Sequence, residues 1–187
     1  MGVGCRSVEV GGVGSGGVIA AAALAGAVAA GAGGLVPDDP DEMWRDAGLR
    51  VVDRVTRADG ECVSHSFGQV RELLKAVPCV ALDRMLFTVT DDRGGTAVVL
   101  VAWVEFDDRD KAREFKRVED IHGTGDITPL SGSLLRIADV PFTAHNYDSD
   151  LVDGVTVVIA EAENVAGGFT SAYLDDIAGI AVGTPRP

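Results

Sequence analysis

Basic residues are scarce and scattered along this chain. Of its 187 residues, 16 are Lys or Arg against 29 Asp or Glu, a formal charge of −13. No Lys/Arg cluster occurs, and phosphate binding needs concentrated positive charge to release counterions, so nucleic acid is excluded as a partner. Lysine appears only at Lys75, Lys111 and Lys116, a scarcity that reads as the coding bias of a GC-rich genome. Histidine is equally thin. His65, His122 and His145 offer no combination that spacing selects, no G-x-S-x-G nucleophile elbow exists, and nothing marks two carboxylates as an acid/base pair. No catalytic, cofactor-binding or metal-ligating residue is therefore assigned. Disorder is excluded as well, because 47% hydrophobic residues supply enough burial to offset the entropy of ordering. The length suits one domain of ordinary size.

What polar character there is sits unevenly. Residues 1–36 hold one Arg and one Glu, and residues 37–187 carry the whole −13. Val18 to Val36 runs 19 residues without a charge, close to the ~20 that cross a bilayer as a helix. Ala and Gly supply most of it, and small-residue cleavage patterns occur at Ala27-Val28-Ala29 and Ala30-Gly31-Ala32, so residues 1–36 read as a signal peptide or a single transmembrane anchor. Arg6 precedes the segment, while Asp38, Asp39, Asp41 and Glu42 follow it. That asymmetry keeps the N-terminus inside and puts the acidic bulk outside, at the cell membrane or secreted. Cys5 is no lipid anchor, since it precedes the apolar run. A rival reading uses Gly12, Gly14 and Gly17 as a G-x-G-x-x-G turn of a cytosolic dinucleotide-binding protein. Its strand would be only Ser7 to Val10, and no second strand ending in an acidic residue follows.

Residues 37–48 read as an acidic linker and short helix, and residues 49–187 as the exported domain. Leu49 to Val55 predicts a strand. Phe67, Val70, Leu73, Leu74 and Val77 recur at helical spacing before Pro78. Leu82–Thr90 and Thr96–Phe106 predict strands around the Asp91–Gly95 turn, the second apolar on both faces and so central. Ala112, Phe115, Val118 and Ile121 predict a helix that Gly123-Thr124-Gly125 stops. Leu134–Ile137 and Val155–Ala162 predict strands, and Phe169–Val182 a closing helix. The order implies an α+β fold with a ferredoxin-like split β-α-β-β-α-β sheet and helices on one face, beside the N-terminal apolar helix. The open face of such a sheet makes self-association plausible.

Cysteine carries the most usable chemistry. Cys62 and Cys79 flank the first long helix, both in the part placed outside, where an oxidising compartment favours a disulfide. Two free thiols, or a zinc site begun by Cys62-Val63-Ser64-His65 with Cys79, are the alternatives; zinc lacks a fourth ligand at a recognisable spacing. His65 reads as a polar residue beside a helix start that Ser64 or Ser66 caps. Asp148-Ser149-Asp150-Leu151-Val152-Asp153-Gly154 is acidic enough for a calcium loop, yet misses the D-x-D-x-D-G register and reads as a solvated turn.

Glu61 to Val70, Pro78-Cys79, the Val104–Leu130 run with His122-Gly123-Thr124-Gly125-Asp126-Ile127-Thr128-Pro129-Leu130, and Asn146-Tyr147-Asp148-Ser149 resemble a group of uncharacterised exported or membrane-anchored actinobacterial proteins. The resemblance spans about residues 40 to 180. It implies an N-terminal membrane segment and a paired Cys62 and Cys79, and brings no activity with it. The expectation is a non-catalytic cell-envelope domain, held in the membrane through residues 18–36 unless cleaved there. It would bind an unknown protein or a surface component. The alternative from another class is an envelope enzyme gathering His65, His122 or His145 with carboxylates in one pocket.

Overall fold

The structure is a computed structural model that describes residue 39 and residues 41–187. The apolar segment 18–36, the glycines at 12–17 and Cys5 lie outside the described residues. Among the described residues, no helix is long and apolar enough to cross a membrane.

Two ten-residue hairpin strands form the centre, β2 (Ala81–Thr90) and β3 (Thr96–Glu105). They pair antiparallel from Ala81↔Glu105 to Thr90↔Thr96. The turn between them is closed by Asp91, whose Oδ1 accepts from Arg93 N–H (2.9 Å) and Gly95 N–H (2.7 Å), as an Asx side chain does when it stands in for backbone. Outside them lie β1 (Arg50–Asp59) against β2, and β5 (Thr156–Ala166) against β3, with β4 (Tyr147–Val152) at the far edge. The sheet has the order β1-β2-β3-β5-β4, and every neighbouring pair is antiparallel. The domain is α+β, as the residue pattern predicts.

The ferredoxin-like arrangement needs two split β-α-β units, and this sheet has one. β3 and β4 run parallel with β5 between them, joined through α3 (Arg109–Glu119). The connection through α2 (Gly68–Ala76) instead joins β1 and β2 as direct antiparallel neighbours. A covalent bond holds that return in place. Cys62 and Cys79 form a disulfide with their Cα atoms 6.1 Å apart, so the excursion through α2 returns to the end of the sheet it left. A parallel crossover would have to end a strand length away, roughly 30 Å for ten residues.

Helices cover both faces, not one. Met85, Phe87 and Val89 of β2, with Val99 and Val101 of β3, face α1 (Glu42–Asp46) and α4 (Ser171–Ala181), where Trp44, Leu174 and Ile177 complete the core. On the opposite face Leu82, Ala102, Val104 and Ile159 pack under α2 and α3. Leu86, Val98 and Leu100 pack under the loop carrying Leu130 and Leu135. The unbroken apolar run Ala97–Val104 demands this, since a strand apolar on both sides must be covered on both. The open sheet face invoked for self-association is thus occupied over the central strands. Two segments also differ from expectation. Leu134–Ile137 is no strand, and Gly132–Leu135 forms a 3-10 turn. The acidic stretch from Asp148 is no solvated turn but mostly β4, whose hairpin to β5 turns at Asp153 (φ 49°) and Gly154 (φ 87°).

Candidate functional site

Three carboxyl groups meet beneath the sheet face that carries α3. Glu119 comes from the last turn of α3, on the inward stripe with Ala112 and Phe115. Asp126 comes from the loop after it. Glu161 sits mid-β5 in the same inward register as Val157 and Ile159, opposite Leu100 on one side and Tyr147 on the other. All three are buried, with 5%, 7% and 3% exposure respectively.

The loop reaches this position because both of its flanks are tied. Asp108 caps the start of α3, its Oδ1 accepting from Asp110 N–H at 2.7 Å. At the other end Thr124 Oγ1 donates toward the carbonyls of Val118 and Ile121, 2.8 Å from each, satisfying orphan carbonyls of the helix terminus. Gly125 (φ 114°) then lets the chain pass against Gly68; a Cβ at Gly125 would stand 2.8 Å from the Gly68 Cα. Ser66 and Ile127 form an antiparallel bridge, with Phe67 N–H donating to Asp126 O (3.0 Å) and Thr128 N–H to His65 O (2.7 Å). The disulfide end of the α2 connection is therefore sewn to the segment that presents Asp126.

No cation compensates the three carboxyls: among the described residues none of them makes a salt bridge. Glu161 Oε2 accepts from Ala144 N–H (2.7 Å) and Asp126 Oδ1 from Ile127 N–H (2.5 Å), while both oxygens of Glu119 lack any conventional donor. An uncompensated buried carboxylate is expensive, and the group takes up a proton instead. Burial raises Glu119 to about 7, with the Glu161 and Asp120 charges adding to it. Burial raises Asp126 to about 8, helped by the neighbouring Glu119 carboxyl. Burial again raises Glu161 to about 9, helped by Asp126. The Tyr147 hydroxyl is also pushed up, first by burial and then by the Glu119 charge. Each of the three carboxyls thus favours its protonated form, in a buried site with no cation to offset them.

The space beside this series is small. A cavity of about 50 Å³ is lined by Glu119, Asp126, His122, Ala144 and Tyr147, room for one or two waters and not for an organic substrate. A shallower groove of about 330 Å³ adjoins it, walled by Phe67, His122 and Phe142. A larger depression, about 720 Å³, lies elsewhere, between the β2–β3 turn and the Phe169–Tyr173 corner. Its Asp91 Oδ1 is committed to the turn and its Tyr173 hydroxyl donates to Ala47 O at 3.2 Å.

The residues singled out in the sequence are dispersed. Cys62 and Cys79 are bonded to each other, which removes both thiolates from the zinc reading. Neither Ser64 nor Ser66 caps α2: the N-cap position is Phe67, without a side-chain bond, and Ser66 Oγ donates to Val63 O at 3.1 Å. His65 is half-buried, accepting from Arg84 at Nδ1 (3.2 Å) and facing Asp59 with Nε2 (3.3 Å). His122 and His145 meet edge to face at 5.1 Å, both exposed. Among the described residues no group of three His, Cys, Asp or Glu side chains is arranged to hold a metal ion. Sequence reasoning missed Glu119, Asp126 and Glu161. Two of them carried a signal, Glu119 four residues after Phe115 on the apolar stripe and Glu161 at an inward position of an apolar strand.

No protein-family model, curated protein or solved structure matches this chain.

Proposed function

We propose that the chain is an exported cell-envelope protein. Its α+β domain is placed outside the cell, tethered by or released from residues 18–36, and works without catalysis by binding a protein or surface component. The observation that carries this reading is the Cys62–Cys79 disulfide, because such bonds persist in oxidising compartments and are reduced in the cytosol. The acidic charge of −13 suits a domain kept soluble beside anionic lipids and wall polymers. Intact mass of the protein from membrane and medium fractions, with and without thiol alkylation, tests it. The expected species carries Cys62 and Cys79 protected, either full-length in the membrane or shortened by about 30 residues in the medium. A soluble full-length chain with three free thiols overturns it and returns attention to Gly12–Gly17.

One observation favours an envelope enzyme as the second reading: His122 lines the same cavity as Glu119 and Asp126, whose carboxyls titrate near neutrality. The size of that cavity weighs against it. An ester or glycoside hydrolysis that Asp126→Asn abolishes, with the variant still folded, would establish the enzyme instead.

A further inference from the structure

We infer that Glu119, Asp126 and Glu161 form a proton-held latch: shared protons join the three carboxyls and pin residues 120–146 against α3 and β5, and loss of those protons frees that segment. The inference is independent of where the protein resides.

Three carboxyls reach one another from three separate elements, and only two backbone N–H groups serve their six oxygens. Glu119, at 5% exposure, has both oxygens without a hydrogen-bond donor and lines the small cavity together with Asp126 and with Ala144, whose N–H donates to Glu161. A carboxylate cannot donate, so three ionised groups have nothing to hold them together. Two protons suffice, one on Glu161 donating to Asp126 and one on Asp126 donating to Glu119. Passing both to solvent takes the cluster from −1 to −3 in a space with room for no more than one or two waters, and like charges at that range repel strongly.

A metal ion is the other means of holding carboxyls together, but among the described residues no three such side chains are arranged to hold one. The surrounding charges do not substitute. On α3, Lys116 is engaged by Asp120 (2.8 Å) and by Ser149. On the α2 side, Arg71 Nε donates to Ser66 O at 2.5 Å. Glu163 of β5 accepts from Thr143 N–H and Oγ1, 3.2 and 2.6 Å away. Tyr147 of β4 directs its hydroxyl to Asp120 at 3.3 Å, and the remaining titratable groups on the segment are the exposed His122, Arg136 and His145, with Asp139, whose Oδ1 accepts from Gly132 N–H at 2.7 Å.

What moves on release is defined by four backbone bonds that dock the segment: Phe67 N–H to Asp126 O (3.0 Å), Gln69 N–H to Thr124 O (2.5 Å), Thr128 N–H to His65 O (2.7 Å) and Ala162 N–H to Asn146 O (3.0 Å). Hydrogen exchange at the Phe67, Thr128 and Ala162 amides, corrected for intrinsic rates, reads the latch directly between about pH 5 and about pH 9. Protection is expected to fall at least about tenfold over that range. Side-chain carboxyl carbons of the native protein should titrate in the same interval. Glu161→Gln keeps a neutral donor toward Asp126 and should flatten the profile, while His122→Ala and His145→Ala should leave it intact. A flat profile in the native protein overturns the latch, as does a profile unchanged by Glu161→Gln. Recovery of protection at high pH on adding millimolar calcium also overturns it, by making the cluster a cation site. If Glu161→Gln fails to fold, the carboxyl titration decides alone: ordinary acidic titration of all three groups ends the proposal.

Discussion

Arg84 closes on Asp59 across the β1–β2 pair with Nε to Oδ2 at 2.8 Å, both side chains largely withdrawn from water. The same guanidinium donates to Thr128 O at 2.7 Å and to His65 Nδ1 at 3.2 Å. One side chain thus joins the sheet, the 3-10 turn after Cys62 and the loop after Asp126. Since its Nδ1 accepts, His65 holds its proton on Nε2, toward Asp59.

Replacing Arg84 by Met removes the cation and leaves Asp59 facing only His65. Breaking a buried pair from one side costs about 3–5 kcal/mol. Arg84→Met is expected to lose an amount in that range in urea unfolding, and a double variant with Asp59→Leu to recover part of it. Additive losses would show that the pair contributes nothing as a pair.

The disulfide closes a 17-residue separation around α2. On the chain-entropy account this is worth roughly 3 kcal/mol, so Cys62→Ala with Cys79→Ala should lower the denaturant midpoint accordingly. Cys62 is almost fully buried beside Val70 and Leu74, so Cys62→Ser should fall further, by about 1 kcal/mol or more, through the unsatisfied hydroxyl.

Gly125 carries two constraints at once, a φ of 114° and the Gly68 Cα 2.8 Å from where a Cβ would sit. Gly125→Ala must strain the backbone or lift the loop from α2, and a loss of about 2–3 kcal/mol is expected. Gly123, at φ 85° with open space around it, should lose only about 1 kcal/mol as alanine. Thermal unfolding of the two variants side by side separates strain from collision.

Much of the architecture was legible from periodicity alone. β2, β3 and the helices follow the alternation and the 3.6-residue stripes, because burial on a regular element leaves a regular trace. β4 was not legible as a strand, since at an exposed edge Asp148 and Asp150 alternate with half-buried Ser149 and Leu151 and acidic density masks the pleat. The Asp153-Gly154 pair was a usable hairpin signal. Cys62 and Cys79 were legible because only proximity in sequence and compartment had to be guessed. The sheet order was not, although the disulfide already excluded a parallel crossover around α2. Glu119 and Glu161 each break an apolar pattern by one residue, but their meeting with Asp126 depends on the Gly68–Gly125 crossing, a tertiary contact that no local spacing encodes.

The carboxyl series gives stability an unusual pH dependence. A native group that holds its proton more tightly than the unfolded chain makes the folded state the greater proton binder. Its contribution is therefore complete below the ordinary carboxylate range, and is lost as pH rises toward the native value. For Glu119, Asp126 and Glu161 that window runs from roughly pH 4 up through about 7, 8 and 9, above which the loss is complete. Most domains gain or hold stability between acid and neutral pH as native carboxylates ionise. Here the three groups oppose that trend, and unfolding free energy from urea titrations should decline from about pH 5 to about pH 9 by at least about 1–2 kcal/mol. Glu161→Gln should be less dependent on pH than the native protein and relatively more stable at the alkaline end. A native profile that is flat or rising across the interval would mean that the three carboxyls are ionised in the folded protein without penalty.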